Sequence, residues 1–519
     1  MKKIISIILA VLMLLSCISC RGNAPVQDLP GNADASKEYD IDLAFCANDY
    51  INPYTCVTKV NRMLSALVYE PLIGIDNELA AVNVLAESAE YSERKINVKL
   101  KANILFSDGS PLTSEDVKYS FELAKKSENV YASELSTITD CNIVDLYNLT
   151  FGVSKDDPFS VSLLTFPIIK AGSDVLESED SVLYDPIGTG RYFRKDLSMT
   201  INENYRTSDT MLKQIDLINT PDSEALEHNI SAGRISVFYS DLADGEIPKM
   251  MGKSTSIGLT NLVYVGFNDK NSKVINSDIR QIISSVIDRT LVCEQAFMKY
   301  ADPATGLYPE TFTAADGLQT ILSTPDIDNL LAKLESMGYN SKDSNGYWCN
   351  ESGNIISFYI LVNEDSRSKS IVAQLLCNAL DDFGIKAMID ARSFENYQKA
   401  LSSGDFAVYI GEVRFKNNMD VSSLLLSSGS AAFGVSPPDS DDEEIDSDSI
   451  FYSDSTQEMV RDFYRGKALF SDILIYFMSE MPIAPICYRR GWLGYDPEIP
   501  DNILKPWLTD AYHGIWLLG

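Results

Sequence analysis

The residue types best suited to acid–base and metal chemistry are scarce in this sequence. Among its 519 residues there are two histidines, His228 and His513. Histidine changes charge near neutral pH and is the commonest protein ligand for metals. Its scarcity argues against a Ser-His-Asp triad and against a metal site built from several histidines. We therefore expect neither a metal nor a cofactor.

Two glycine-containing segments resemble nucleotide-binding loops but lack a required glycine. A phosphate loop ending at 252–254 needs glycine at position 247, where the chain has Ile247. A dinucleotide loop beginning at 188–190 needs glycine at position 193, where the chain has Phe193. Neither a G-x-S-x-G nor an H-E-x-x-H pattern occurs in the sequence. The sequence thus gives no positive signal for an enzyme, and we expect no catalytic residues.

The charge and composition narrow the classes of partner. Lys and Arg number 43 and Asp and Glu number 74, so the formal net charge is −31. Phosphate surfaces attract basic proteins, so we expect no nucleic-acid partner and no direct binding to an anionic membrane. With 45% hydrophobic residues the chain has a globular composition, and its length exceeds what one core usually supports.

The segment 436–449 concentrates negative charge, with seven acids between Asp439 and Asp448. A calcium-binding loop counted from Asp439 would need glycine at its sixth position and glutamate at its twelfth. Those positions hold Glu444 and Ile450. We therefore expect a solvated loop rather than a calcium site.

The N-terminus has the pattern of an export signal. Two lysines precede an apolar run of 12 residues at 4–15, which is short for a membrane span. The cysteine that follows makes the segment similar to a bacterial lipoprotein signal, which implies that residues 1–16 are removed and Cys17 is lipidated. Cys20 is the alternative site, and an ordinary cleaved signal or an uncleaved anchor is the alternative interpretation. Residues 17–37, small and polar, would form a lipidated flexible tether.

Seven further cysteines match no zinc-binding or disulfide framework. They are Cys46, Cys56, Cys141, Cys293, Cys349, Cys377 and Cys487. A bridge between the nearest pair, Cys46 and Cys56, and free buried thiols are both compatible with this spacing.

The periodicity of apolar residues predicts an α/β protein. Thr113 followed by Asp116 forms a capping pattern at the start of a helix. The spacing of isoleucines predicts one long amphipathic helix over 277–299. Strands and helices alternate between 355 and 410 as β-α-β-α-β, which favours a mixed α/β lobe.

Several stretches, in order along the chain, resemble the family 5 extracellular solute-binding proteins of ABC importers, the oligopeptide, dipeptide and nickel group. The most specific is 106–122, where Phe106-Ser107-Asp108-Gly109-Ser110-Pro111-Leu112-Thr113 leads into a helix. Others are 69–72, 186–192, 202–205, 265–268, 278–289, 334–339, 383–386 and 482–486. Together they span about residues 40–515.

This resemblance implies a two-lobed periplasmic-binding-protein-like α/β fold of the class with an extra inserted subdomain and a hinge between the lobes. Lobe 1 would comprise 38–75, 186–262 and 490–519, the inserted subdomain of lobe 1 would comprise 76–185, lobe 2 would comprise 269–484, and the hinge would comprise 263–268 and 485–489. The ligand would lie between the lobes, which close on it by bending at the hinge.

The resemblance also implies candidate ligand contacts. Peptide-binding members carry a tryptophan and then an aspartate that pairs with the peptide ammonium group. Aligned without gaps, these positions fall on Glu412 and Phe415, so Glu412 or Asp420 would have to supply the carboxylate. Arg414 would suit an anionic group.

Other candidates follow from the same alignment. Dipeptide-binding members place an arginine near Asn363, close to Arg367, and the aromatic residues Tyr69 and Tyr409 would suit a broadly selective cleft. The histidines, His228 and His513, are expected outside the cleft loops, which argues against nickel.

The implied function is that of a substrate-binding lipoprotein for an oligopeptide or a similar extended solute. It would act as a monomer, delivering solute to an ABC permease whose ATPase subunits hydrolyse ATP. Its lipid anchor would hold it on the outer face of the cytoplasmic membrane, at the bacterial cell surface. A ligand-sensing or adhesive surface lipoprotein on the same fold is the alternative.

Overall fold

A computed structural model describes residues 39–174, 185–268, 275–315, 326–426, 429–431 and 454–519. The predicted signal peptide, 1–16, the tether, 17–37, and the acidic segment, 436–449, lie outside the described residues. In the part of the chain that is described, no helix combines the length and the apolar character that a membrane span requires.

The described residues form 19 strands. In chain order they are β1 (Asp42–Phe45), β2 (Ile73–Ile75), β3 (Ala81–Asn83), β4 (Ala86–Ser92), β5 (Lys95–Leu100), β6 (Ile138–Ile143), β7 (Asn148–Val153), β8 (Tyr192–Lys195), β9 (Ser198–Ile201), β10 (Gln214–Asn219), β11 (Val237–Ser240), β12 (Lys253–Phe267), β13 (Ala301–Pro303), β14 (Ser341–Lys342), β15 (Trp348–Cys349), β16 (Ser357–Asn363), β17 (Lys386–Arg392), β18 (Val408–Arg414) and β19 (Ile483–Tyr495).

The α-helices of the described residues lie between these strands. They are α1 (Lys59–Val68), α2 (Ser114–Lys126), α3 (Val130–Glu134), α4 (Ser223–Ser231), α5 (Ser277–Val286), α6 (Arg289–Phe297), α7 (Ile327–Ser336), α8 (Arg367–Phe383), α9 (Phe394–Ser403), α10 (Ser422–Leu425), α11 (Asp454–Phe463) and α12 (Phe470–Glu480).

Separate sheets organise the predicted lobes. In lobe 1, a four-stranded sheet has the order β1-β10-β9-β8, with β1 and β10 parallel. In the inserted subdomain, a four-stranded antiparallel sheet has the order β4-β5-β7-β6. Its core includes an edge-to-face pair of Phe121 and Phe151 with centroids 5.6 Å apart. The predicted cap is confirmed, since Thr113 donates its backbone N–H to Asp116 Oδ2 at 2.9 Å.

A seven-stranded sheet contains strands from both predicted lobes, with the order β11-β19-β12-β18-β16-β17 and β13 paired to β19. Its two long strands, β12 and β19, pair with each other and cross the predicted boundary between the lobes. Their register shifts between Gly258 and Leu262 and again between Val263 and Tyr264. The predicted hinge segments, 263–268 and 485–489, fall largely within these two strands. Since a register shift bends a strand locally, these positions suit a bend between lobes.

Lobe 2 shows the predicted β-α-β-α-β order. Strand β16 lies between β17 and β18 and is parallel to both, and helices α8 and α9 provide the connections. Parallel neighbours need such crossover connections because the chain must return from the carboxyl end of one strand to the amino end of the next, at the opposite side of the sheet. This part of the chain thus has the mixed α/β structure that the sequence predicted.

The prediction of one helix over 277–299 is wrong. The chain forms two helices, α5 and α6, separated by Ile287 in an extended conformation. Asp288 accepts a hydrogen bond from Leu291 N at 2.9 Å, which caps the second helix. A capping aspartate therefore interrupts an otherwise continuous apolar pattern.

The seven described cysteines are free and buried. Cys46 and Cys56, the nearest pair in sequence, form no disulfide. Burial raises the pKa of the Cys56 thiol to about 11. Thiols in this state behave as small apolar side chains.

Candidate functional site

A cavity of about 1100 Å³ is lined by residues from the predicted lobe 1, the predicted inserted subdomain and the predicted lobe 2. Lobe 1 supplies most of its wall, including residues of α1, α4 and β12. The inserted subdomain contributes Tyr131, Glu134 and Thr165, and lobe 2 contributes Arg414 and Asn417. The volume of the cavity is slightly above the roughly 300–1000 Å³ typical of clefts for small ligands.

One end of the cavity wall is a polar cluster built from three of the recognised sequence stretches. Glu70 accepts two hydrogen bonds from Arg206, at 2.7 and 2.8 Å, and one from Tyr205 Oη at 3.0 Å. Thr189 Oγ1 lies 3.0 Å from the same carboxylate. The two carboxylate oxygens are thereby fully engaged, so this cluster fixes the wall rather than offering a free charge.

Tyr69 borders the cavity at the end of α1, yet only 1% of the residue is exposed. Its hydroxyl donates to Pro186 O at 2.9 Å. Glycine is required opposite it, because a Cβ on Gly188 would overlap Val68 O and lie 2.7 Å from the Tyr69 ring. The backbones of the stretches 69–72 and 186–192 thus lie so close together that only glycine fits at position 188.

Glu412 does not border the cavity and belongs to a partly buried ion-pair cluster. Its carboxylate is 3.0 Å from Lys369 Nζ and 3.2 Å from Arg489 Nη1, and it accepts from Asn261 Nδ2 at 3.0 Å. Burial acts to raise the pKa of Glu412, but Lys369 and Arg489 outweigh burial and the pKa is lowered. The carboxylate is already neutralised by two cations of the protein.

The aromatic candidates in and directly after β18 pack inside the protein. Tyr409 is 1% exposed, and its hydroxyl lies 3.1 Å from that of Tyr264. Phe415 is also 1% exposed, and its backbone N–H donates to Thr260 O at 3.0 Å. Neither side chain borders the cavity.

Two further candidates lie elsewhere in lobe 2. Asn363 ends β16 and accepts from Asp365 N at 3.1 Å through its side chain, and Arg367 begins α8. Neither borders the cavity. Of the seven candidates, the structure brings Tyr69 and Arg414 to the cavity, and ligand contact stays a prediction for all of them.

Both histidines border the cavity, contrary to the expectation from the sequence. His513 stacks on Trp507 with ring centroids 4.0 Å apart, and its Nδ1 lies 3.3 Å from Asp510. His228 is exposed on α4. Across the residues that the structure describes, no group of three His, Cys, Asp or Glu side chains is placed to hold a metal ion.

The inserted subdomain contacts lobe 2 directly beside the cavity. Glu134 Oε2 accepts from Asn417 N at 3.0 Å, and Asn417 Nδ2 donates to Thr165 Oγ1 at 3.1 Å. Asp420, considered from the sequence as a ligand carboxylate, instead pairs with Lys155 at 2.6 Å. Sequence reasoning missed Glu134 and Asn417, because nothing in the chain relates positions so far apart.

Comparisons with known proteins agree with this architecture. Among solved structures, a nickel ABC transporter protein of Bacillus halodurans is similar with a TM-score of 0.71, at 17% identity, covering 92% of this chain and 98% of that chain. An unliganded open form of a periplasmic murein tripeptide binding protein gives a TM-score of 0.66, at 17% identity, covering 88% and 93%. At such identities the similarity establishes the fold, a two-lobed binding-protein fold.

Curated sequences are also similar. An ABC transporter peptide-binding protein of Brucella ovis is 25% identical over 264 residues, 46% of this chain and 49% of that protein. The chain therefore spans about half the length of this relative. A glutathione-binding protein of Shigella boydii is 24% identical over 364 residues, 66% of this chain and 67% of that protein.

The family model described as bacterial extracellular solute-binding proteins, family 5 middle, matches residues 80–434. This range includes the signature at 106–122, the inserted subdomain and the β-α-β-α-β part of lobe 2. The chain belongs to family 5 of the bacterial extracellular solute-binding proteins.

Proposed function

We propose that this protein is the substrate-binding component of an ABC importer and captures an oligopeptide or a similar extended solute. The observation that carries this proposal is the cavity of about 1100 Å³ at the junction of lobe 1, the inserted subdomain and lobe 2. The names of the curated relatives, a peptide-binding and a glutathione-binding protein, support a peptide-like solute.

The lining of the cavity suits an extended ligand with mixed chemistry. The wall contains aromatic and aliphatic side chains as well as charged ones. Among them are Met63, Tyr131, Phe238, Tyr239, Leu259, Trp507 and Trp516. Apolar surface supplies affinity without demanding one particular side chain of the ligand, and the placed polar groups fix its orientation.

Release and capture would follow from bending between the lobes. We propose the boundaries given above for the lobes, with the hinge at 263–268 and 485–489. Support comes from the two paired strands, β12 and β19, which cross between the lobes and carry register shifts. The contacts of Asn417 with Glu134 and Thr165 would form when the lobes close.

The function would be binding and delivery rather than catalysis. ATP hydrolysis would belong to ATPase subunits, and a permease would receive the solute from the closed protein. Neither step requires a nucleophile, metal or cofactor in this chain.

We further propose a bacterial cell-surface location through a lipid on Cys17, with Cys20 as the alternative site. The support is the order of two lysines, an apolar run at 4–15 and then cysteine. A Cys17→Ser variant should lose lipid labelling and appear in the medium. Continued lipid labelling of this variant would indicate that the lipid is attached to Cys20 instead.

The experiment that tests the proposed function is native mass spectrometry of protein purified from the cells that produce it. The expected spectrum contains one non-covalently bound solute per chain, and fragmentation identifies it as a peptide or similar compound. Protein that carries no solute and gains none from a mixed peptide digest would contradict the proposal.

A further inference from the structure

The arginines of the cavity wall fall into two groups. Among the described residues, five arginines border the cavity. Three have carboxylate partners: Arg191 pairs with Asp209, Arg206 with Glu70 and Arg489 with Glu412. Arg62 and Arg414 have no carboxylate within ion-pair distance in the described part of the chain. In a chain of net charge −31, two arginines without an acidic partner facing one cavity call for an explanation.

Arg62 lies on α1 and is held partly out of water. Its Nε is buried and has no hydrogen-bond acceptor within the described residues. The Cys56 thiol is close by: burial raises the pKa of that thiol to about 11, and the charge of Arg62 acts against the increase. A buried donor without an acceptor destabilises the protein, because the donor has lost its hydrogen bond to water. An acceptor brought by a ligand would remove that destabilisation.

Arg414 reaches the cavity from lobe 2, at the exposed end of β18. Glu134, which also borders the cavity, is buried and already accepts a hydrogen bond from Asn417 N at 3.0 Å. Burial raises the pKa of Glu134, while Arg414 and Lys416 act in the opposite direction. Glu134 therefore interacts electrostatically with Arg414, but among the described residues it accepts no hydrogen bond from the Arg414 guanidinium group.

Arg62, Arg414 and Tyr131 border the same cavity and come from different parts of the chain. Burial raises the pKa of the Tyr131 phenol, and the charges of Arg62 and Arg414 both oppose this. Arg62 belongs to lobe 1, Tyr131 to the inserted subdomain and Arg414 to lobe 2. A group bound beside Tyr131 would thus contact all three parts of the protein.

We propose that Arg62 and Arg414 together bind a carboxylate group of the captured solute. A guanidinium group presents a planar pair of donors that matches the two oxygens of a carboxylate. Because the arginines come from opposite lobes, the bound carboxylate would favour the closed arrangement as well as adding affinity. This inference rests on the proposed solute-binding function and specifies the chemistry of its ligand.

The test uses calorimetric titration of the full chain with three defined peptides. They are Ala-Ala-Ala, the same peptide as its C-terminal amide, and Ala-Glu-Ala as its C-terminal amide. The first offers a terminal carboxylate, the second none and the third a side-chain carboxylate. The variants are Arg62→Gln and Arg414→Gln, and the matched control is Arg234→Gln, since Arg234 is exposed and does not border the cavity.

The expected result is that at least one carboxylate-bearing peptide binds, and that Arg62→Gln and Arg414→Gln each weaken its binding at least tenfold. Arg234→Gln should leave it unchanged. Preference for the first or third peptide identifies a terminal or a side-chain carboxylate. Circular dichroism confirms that each variant is folded.

Three results would overturn the inference. They are equal binding of the uncharged amide, unchanged binding in both cavity variants, and no binding of any of the three peptides. The first two leave the proposed function standing, because a solute is still bound. The third result, no binding of any of the three peptides, would contradict the proposed function as well if native mass spectra also show protein without a bound solute.

Discussion

Lys155 Nζ lies 2.6 Å from Asp420 Oδ2, and this ion pair ties the inserted subdomain to lobe 2. The Asp420 side chain is 3% exposed and that of Lys155 is 17% exposed. The Lys155 ammonium also lies 3.6 Å from the centre of the Tyr464 ring. The pair is thus sheltered from water.

Replacing Lys155 with methionine should destabilise the protein strongly. Removing one partner of a buried ion pair leaves a desolvated charge and costs roughly 3–5 kcal/mol. The control is Lys99→Met, because Lys99 forms a 2.8 Å pair with Glu87 in which both side chains are about half exposed. We expect a loss of about 1 kcal/mol or less there. Urea denaturation measures both, and equal losses would contradict the importance given to burial.

A second carboxylate at the same contact should make stability depend on pH. Asp157 is 1% exposed and accepts from Asn418 Nδ2 at 2.5 Å. Burial raises the pKa of Asp157 to about 6. As pH rises from about 4 to 6, the unfolded chain releases this proton while the folded chain retains it, so stability falls.

The variant Asp157→Asn isolates that contribution because it has no proton to release. Relative to the variant, the wild type should lose on the order of 2–3 kcal/mol between pH 4 and pH 6. Asp420 has the opposite effect at lower pH. Burial acts to raise the pKa of Asp420, but Lys155 outweighs burial and lowers that pKa to about 2. The stability that ionised Asp420 contributes is therefore lost as pH falls below about 4. Parallel stability curves for the wild type and variant would disprove the assignment to Asp157.

The glycine of the stretch 265–268 should tolerate no side chain. A Cβ on Gly266 would overlap the Tyr409 ring, whereas a Cβ on Gly258 of the same strand would lie 3.4 Å from Asn77 O. We expect Gly266→Ala to cost roughly 1–3 kcal/mol through overpacking. Gly258→Ala should change stability by less than about 1 kcal/mol. Thermal unfolding of the two variants, measured side by side, tests the difference.

Glu412 and Arg414 should respond to substitution in different ways. Glu412→Gln leaves Lys369 and Arg489 without their shared carboxylate, so we expect the free energy of unfolding to fall by about 3 kcal/mol. Affinity for solute should change little, since Glu412 does not border the cavity. Arg414→Gln should weaken binding without a comparable loss of stability. Reversed effects would place Glu412, rather than Arg414, at the ligand.

Local patterns predicted much of the fold. The Thr113–Asp116 cap and the alternating strands and helices of lobe 2 depend on neighbouring residues, and both are present. The break at Asp288 escaped the pattern because one capping side chain outweighed a continuous apolar spacing. Gly188 and Gly266 were recognisable in the sequence. Glycine is required at these positions because of contacts with Val68 and with Tyr409, and those contacts exist only in the folded chain.

The site was less predictable than the fold. Arg414 borders the cavity, while Tyr409 and Phe415, close to it in sequence, are buried and do not border it. Arg62 and Tyr131 gave no sequence signal, because their relation to Arg414 depends on how three parts of the chain meet. Burial and pairing, which distinguish a ligand-binding arginine from a structural one, are tertiary properties.

The central claim is that a solute occupies the cavity of about 1100 Å³, and filling that cavity tests the claim most directly. Ala66 borders it, whereas Ala171 is exposed and does not. Native mass spectra of the wild type and of Ala171→Trp should show one bound solute per chain, and Ala66→Trp should show none while keeping its fold. Wild-type occupancy in folded Ala66→Trp would contradict the account.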